Sequence, residues 1–197
     1  MSELNQFSYQ QTHDRKIAES ICVAATVKVI AFDKKKMTVN VQPLSKHLEH
    51  GKYESQPPIL RVPVMCMKTG GFIVRPWIKE GDVGLVVYLD HDLDSTVSGG
   101  KEAEPLTERN HATSDAIFIG GIVSGSYEVP EIPDEAHVIS SEDGKRFAAV
   151  IKDKIRIEDS GNFLEVAKDY IQIEIGGSSI RLTKNDIRLK ASMIYLN

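Results

Sequence analysis

The chain has 197 residues, with 41% hydrophobic and 26% charged side chains and a formal net charge of −4. That length fits one large domain or two small ones, and the composition excludes wholesale disorder. Fourteen Gly and eight Pro exclude a collagen-like repeat, and the acidic balance argues against a binder that works by neutralising phosphates.

Residues 1–20 form a polar arm without a basic leader or an apolar run, so no secretory signal is expected. A short helix is predicted over 8–19. No run approaches about 18 apolar residues, so no membrane-spanning helix is expected.

From residue 21 the text is β-rich and punctuated by turns. Residues 21–32 are apolar and end in Asp33-Lys34-Lys35-Lys36, a polar turn. Residues 37–42 then alternate, with Val39 and Val41 on one face and Thr38 and Asn40 on the other. This pair predicts a hairpin. Residues 45–56 read as a polar loop. Residues 59–67 read as a strand interrupted by Pro63, which points to an edge or a bulge. Gly70-Gly71 predicts a tight turn before 72–74, and Glu80-Gly81-Asp82 another before 83–89. Residues 92–108 read as a loop with room for one helical turn, and 114–122 as a last strand closing on Gly120-Gly121. About five short strands with turn signals between them predict a small barrel or sandwich, and a five-strand barrel can be an OB-fold. Pro130 and Pro133, among acidic residues, mark a linker. The expected divisions are therefore 1–20, an arm; 21–128, an OB-fold-like domain; 129–136, a linker; and 137–197, a rod.

The last part carries a repeat. Ile155, Ile171 and Ile187 recur at sixteen-residue steps, as do Ile157, Ile173 and Leu189, and Leu164, Ile180 and Leu196; Val166 and Leu182 follow the same phase, with Gly161 and Gly177 between the arms. Within each arm apolar and charged residues alternate with period two, so the arms are strands. An in-phase repeat implies a stack of like layers. Two short strands per layer do not enclose a core by themselves. Three identical chains around one axis solve this: Ile155, Ile157, Leu164, Val166, Ile171, Ile173, Ile180, Leu182, Ile187, Leu189 and Leu196 form a shared dry interior, and the charges face out. The fold class expected is all-β, an OB-fold-like barrel followed by a trimeric intertwined β-helix or β-prism rod. The apolar run 193–197 leaves an open end that calls for a cap.

Candidate chemistry is thin. Cys22 and Cys66 lack metal or disulfide spacing and sit in apolar runs, so they read as buried thiols. The Asp90-His91-Asp92-Leu93-Asp94 run fails as a calcium loop, with Ser95 where Gly is needed and Lys101 where Glu is needed, and reads as turn and cap residues. His111 and Asp115 could pair only on a helix. His47 and His50 flank a loop without further ligands, Gly70-Gly71 and Gly120-Gly121 lack the setting of a phosphate cradle, and the three lysines at 34–36 read as a solvated turn. No catalytic, cofactor-binding or metal residue is assigned.

The order of parts, together with Thr38 to Pro43, Leu60 to Val64, Gly70-Gly71, Arg75-Pro76, Lys79 to Val86, Asp92 to Asp94 and His111 to Gly121, resembles the central spike proteins of contractile-tailed bacteriophages, the baseplate assembly protein V type. The resemblance covers most of residues 20–197. It implies a non-enzymatic homotrimer, assembled in the host cytoplasm and carried in the virion baseplate. The barrels would attach to tail tube or hub proteins, and the rod would pierce the host outer membrane when the sheath contracts. It departs from the family pattern in having no histidine after His137, so the iron-binding His-x-His apex of many such spikes is not expected, which favours a separate tip protein. Some larger relatives carry a lysozyme domain; muralytic activity is not expected here. The other class of function is an OB-type module binding nucleic acid or carbohydrate, with an oligomerising tail. That use needs exposed aromatics on a basic face.

Overall fold

The computed structural model describes residues 9–14, 21–49, 51–123, 127–133 and 135–195. The chain divides into two compact units, residues 1–125 and 126–197. The architecture is all-β. Residues 9–14 are helical, and the rest of the helix expected over 8–19 lies outside the described residues.

In the first unit, β1 (Ala24–Asp33) and β2 (Thr38–Pro43) form the expected hairpin, and β2 alternates strictly between buried and half-exposed positions. Asp33 shapes the lysine turn, because its carboxylate accepts the backbone N–H groups of Lys35 at 2.9 Å and Lys36 at 3.1 Å. The segment expected as a plain loop, 45–56, instead holds a hairpin of β3 (His47–Glu49) and β4 (Lys52–Glu54). Its residues are nearly all exposed, so no apolar alternation announced it. Next come β5 (Ile59–Pro63), the hairpin of β6 (Met67–Thr69) and β7 (Phe72–Val74) around Gly70-Gly71, β8 (Val83–Tyr88), a short helix α1 (Asp94–Gly99) and β9 (Ala116–Gly121).

Five strands form one antiparallel sheet in the order β5-β2-β1-β8-β9. Three irregularities curl it. One residue of β1, Ile30, has no partner in the β1–β2 register. Leu60 and Arg61 oppose Asn40, with Arg61 in the left-handed region and its N–H held by the Asn40 side chain at 2.9 Å. Ile119 and Gly120 oppose Leu85, with Gly120 at φ 67°. The curled sheet returns on itself where Val64 bridges Phe118 in parallel and the Met65 N–H reaches the Phe118 carbonyl at 2.8 Å. This strand order, with a parallel contact joining the third and fifth barrel strands, is OB-like.

The core is filled by Val27, Val29, Val39, Val41, Val62, Val86 and Phe118. The Phe118 ring lies over Gly84, where a Cβ would come within 2.4 Å of it and 2.3 Å of the Gly120 carbonyl oxygen. Pro63 closes the edge strand β5, where a missing N–H costs no ladder bond. The two cysteines are half-buried rather than buried, Cys22 resting against the core from outside it.

The second unit is a single seven-stranded antiparallel meander: β10 (Ala136–Ser140), β11 (Arg146–Ile151), β12 (Lys154–Asp159), β13 (Asn162–Ala167), β14 (Tyr170–Ile175), β15 (Ser178–Thr183) and β16 (Ile187–Lys190). Each arm of the repeat is one strand. The Gly161 and Gly176-Gly177 turns sit at positive φ, which is why glycine marks the phase between arms.

Candidate assembly surface on the C-terminal sheet

Register assembles the surface. Ile155 faces Val166, Val166 faces Ile171, Ile171 faces Leu182, and Leu182 faces Ile187; in the next row Ile157, Leu164, Ile173, Ile180 and Leu189 follow one another across the same strands. Because neighbours directly opposite share a face, these ten residues form one aliphatic face two residues deep and five strands wide. Within the second unit the described residues leave it largely open. Each of the ten remains 36–68% exposed. Leu196, the last of the expected set, lies outside the described residues.

The face extends further than the repeat first indicated. Val150 opposes Ile155 and Ala148 opposes Ile157, while Ile139, exposed at 80%, opposes Ala148. These residues lie sixteen positions before Val166, Leu164 and Ile155, so the same step would have found them. The residues 191–194 bend back at the far end, where Met193 and Ile194 line an apolar hollow of about 330 Å³ with Ile173, Ile175, Ile180 and Leu189.

The opposite face inverts the usual arrangement. Glu165 is only 5% exposed, although it is charged. Its Oε2 accepts from Arg156 Nη1 at 2.8 Å and lies 3.0 Å from Lys154 Nζ, and its Oε1 accepts the Tyr170 hydroxyl at 2.5 Å. Burial opposes ionisation of Glu165, but the hydrogen bonds from Tyr170, Arg156 and Lys154 outweigh it and hold the carboxyl down at about 2. The same bond to Glu165 pushes the Tyr170 hydroxyl up. Arg156 also lies 3.9 Å above the Phe163 ring, and Arg181 lies 4.1 Å above the Tyr170 ring while donating to Gln172. Side chains of the polar face thus hold one another, and those of the aliphatic face have only their neighbours in the sheet.

The titratable clusters of the first unit have structural work. Asp92 and Asp115 are buried. Asp92 Oδ1 accepts the Asp94 N–H at 2.9 Å, and its Oδ2 accepts the Thr107 hydroxyl at 2.8 Å. Arg109 clamps Asp115 through Nε and Nη2, both at 3.2 Å, and reaches Asp92 at 3.2 Å. Asp92 has the turn role expected of the aspartate run, but no aspartate caps the short helix, whose N-cap is Leu93 with no side-chain cap hydrogen bond. The sequence reading passed over Arg109, which no short motif marks. His111 and Asp115 do not pair: His111 sits at positive φ facing Asp90 at 3.7 Å. His47 pairs with Glu49 at 3.0 Å, and His50 lies outside the described residues. Among the described residues no group of three or more His, Cys, Asp or Glu is placed to hold a metal ion, and no helix is long and apolar enough to cross a membrane.

Tyr53, Phe72 and Trp77 are exposed on the first unit, Trp77 edge-on to Phe32. Residues 26–121, the curled sheet and its loops, match the model of a family described as the phage protein Gp138 N-terminal domain. No curated protein matches the chain.

Proposed function

We propose, from the premise that residues 26–121 form a phage-protein domain of that family, that this protein is a non-enzymatic central spike of a contractile phage tail. Three copies meet on the aliphatic faces of their C-terminal sheets. The barrels attach to tail tube or hub proteins in the baseplate, and the rod crosses the host outer membrane when the sheath contracts. The work comes from contraction, so the spike needs stiffness and a hydrophilic flank rather than chemistry.

One observation carries this reading. Ten aliphatic side chains in five consecutive strands are 36–68% exposed, while the charged face behind them is hydrogen-bonded within the chain. An apolar face of that extent on one sheet layer is an interface. The sixteen-residue period fits copies of the same chain, because like rows meet like rows about a rotation axis. Light scattering on the full chain tests it. A mass three times 21.9 kDa, resistant to SDS at room temperature, is the expected result, and a well-behaved monomer overturns the reading.

A second reading, that the barrel binds nucleic acid or carbohydrate, draws on the exposed Phe72 and Trp77 beside Lys68 and Arg75. It predicts salt-sensitive binding lost in Trp77→Ala.

A further inference from the structure

The first row of the aliphatic face, which runs from Val150 through Ile155 to Ile187, begins one strand earlier at His137, which opposes Val150 across β10 and β11. Every other position of the two rows is aliphatic. The sixteen-residue step does not foretell this, since it puts Ile139 in the row of Ile155. The pairing of β10 with β11 is displaced two residues from that step, so His137 takes the place and Ile139 moves to the second row, opposite Ala148.

His137 is exposed and makes no hydrogen bond or ion pair with a described residue. β11 is the only strand paired with β10, and it presents Val150 and Ala148 to this face. The charged residues next along the two strands are Glu135, just before β10, and Lys152, just after β11, one of each sign. A row set against a rotation axis meets its own copies at each level. Three chains therefore bring three imidazoles together at the β10 end of an interior that is otherwise aliphatic. Neutral imidazoles pack there by their apolar ring faces. Imidazolium ions repel one another and lose hydration beside Val150 and Ala148.

We infer that His137 makes the three-chain interface acid-sensitive: neutral imidazoles close its β10 end, and their protonation drives the β10 strands of the three copies apart. The inference rests on the spike reading and adds to it a regulation of the same face. Histidine is the side chain that changes charge between about pH 5 and 8. The separated chain takes up protons that the assembled one resists, so the contribution to assembly is complete at the upper end of that range and is lost as pH falls through it.

The test is dissociation of the full chain's trimer at a fixed concentration of guanidinium chloride, followed by light scattering at about pH 8 and about pH 5.5. The dissociation constant of the native trimer is expected to rise at least about tenfold at the lower pH, since one unit of displacement at a single site is already tenfold. Glu165 stays ionised throughout this range, with its carboxyl held at about 2. His137→Leu is expected to assemble at both pH values and to differ by less than about twofold between them. His137→Lys, which keeps a charge there throughout, is expected to dissociate at both as the native chain does at the lower one. The other histidines remain in both variants, so a response of theirs persists in His137→Leu and overturns the inference. So does a native trimer indifferent to pH, a His137→Leu chain that fails to assemble, or a His137→Lys trimer as firm as the native one at the higher pH. EDTA that loosens the native trimer but not His137→Leu also overturns it, because imidazoles that hold a metal ion do not repel. Light scattering without denaturant separates the two readings. A trimer whose dissociation ignores pH sinks only the acid response, whereas a monomer at the higher pH sinks the spike.

Discussion

Arg156 and Glu165 face each other across β12 and β13, joined at 2.8 Å, and directly behind them on the same strands Ile155 and Val166 stand half in water. The sheet pairs these charges internally and leaves its aliphatic side chains exposed. Burial of charge is costly unless paired and hydrogen-bonded, and here it is both.

Ile171→Asp addresses the aliphatic face. Ile171 sits in the middle strand of the five and is 41% exposed, so the substitution costs the isolated sheet little. In a shared interior it puts three like charges together without water. The mass by light scattering is expected to fall from trimer to monomer while the far-ultraviolet circular dichroism keeps its β signature. A variant that remains trimeric shows that the face points elsewhere.

Glu165→Gln addresses the polar face. The carboxyl ionises at about 2 in the folded chain against an ordinary value of 4.5, so the unfolded chain takes up a proton first as pH falls. The stabilisation is complete above about pH 4.5 and drains away between there and about pH 2. Its size is at most about 3 kcal/mol at neutral pH. Urea titrations from pH 7 downward are expected to show that decline in the native chain and a flatter profile in Glu165→Gln, which starts less stable.

Gly84→Ala should strike the barrel. The added methyl meets the Phe118 ring and the Gly120 carbonyl, and a backbone oxygen cannot swing aside. A loss of about 3 kcal/mol is expected in denaturant titration. Gly99→Ala, where no atom lies within 4 Å of the new methyl, is expected to change stability by less than about 1 kcal/mol.

Asp115→Ala should take both hydrogen bonds to Asp115 from Arg109, leaving it Asp92 and Asp94, and should leave the Leu93 N–H without that acceptor. About 2–3 kcal/mol of stability should go, less than for a fully buried pair because Arg109 is 40% exposed. Asp90→Ala, at a carboxylate 81% exposed, is expected to stay within about 0.5 kcal/mol of the native chain in the same titration.

The legible parts were those written in local alternation. The β1–β2 hairpin and the sixteen-residue arms follow from side chains that point alternately in and out, and such a pattern fixes which residues share a face; the end of β5 at Pro63 follows from proline's missing N–H. Where alternation was absent the reading failed. The hairpin of β3 and β4 is exposed on both sides, so its sequence looks like a loop.

By itself, then, the order of residues determined the alternating strands, the sixteen-residue period and the aliphatic rows of the repeat, because each depends on neighbours two or sixteen positions away. Only the tertiary structure decided which carboxylates go inside. Asp92, Asp115 and Glu165 look no different in sequence from Asp90, Asp159 or Glu174. They are buried because a particular fold brings Arg109, Thr107, Arg156 and Tyr170 within hydrogen-bonding distance. That requirement for donors from other strands and turns is set by the folded register and closure, not by any local spacing.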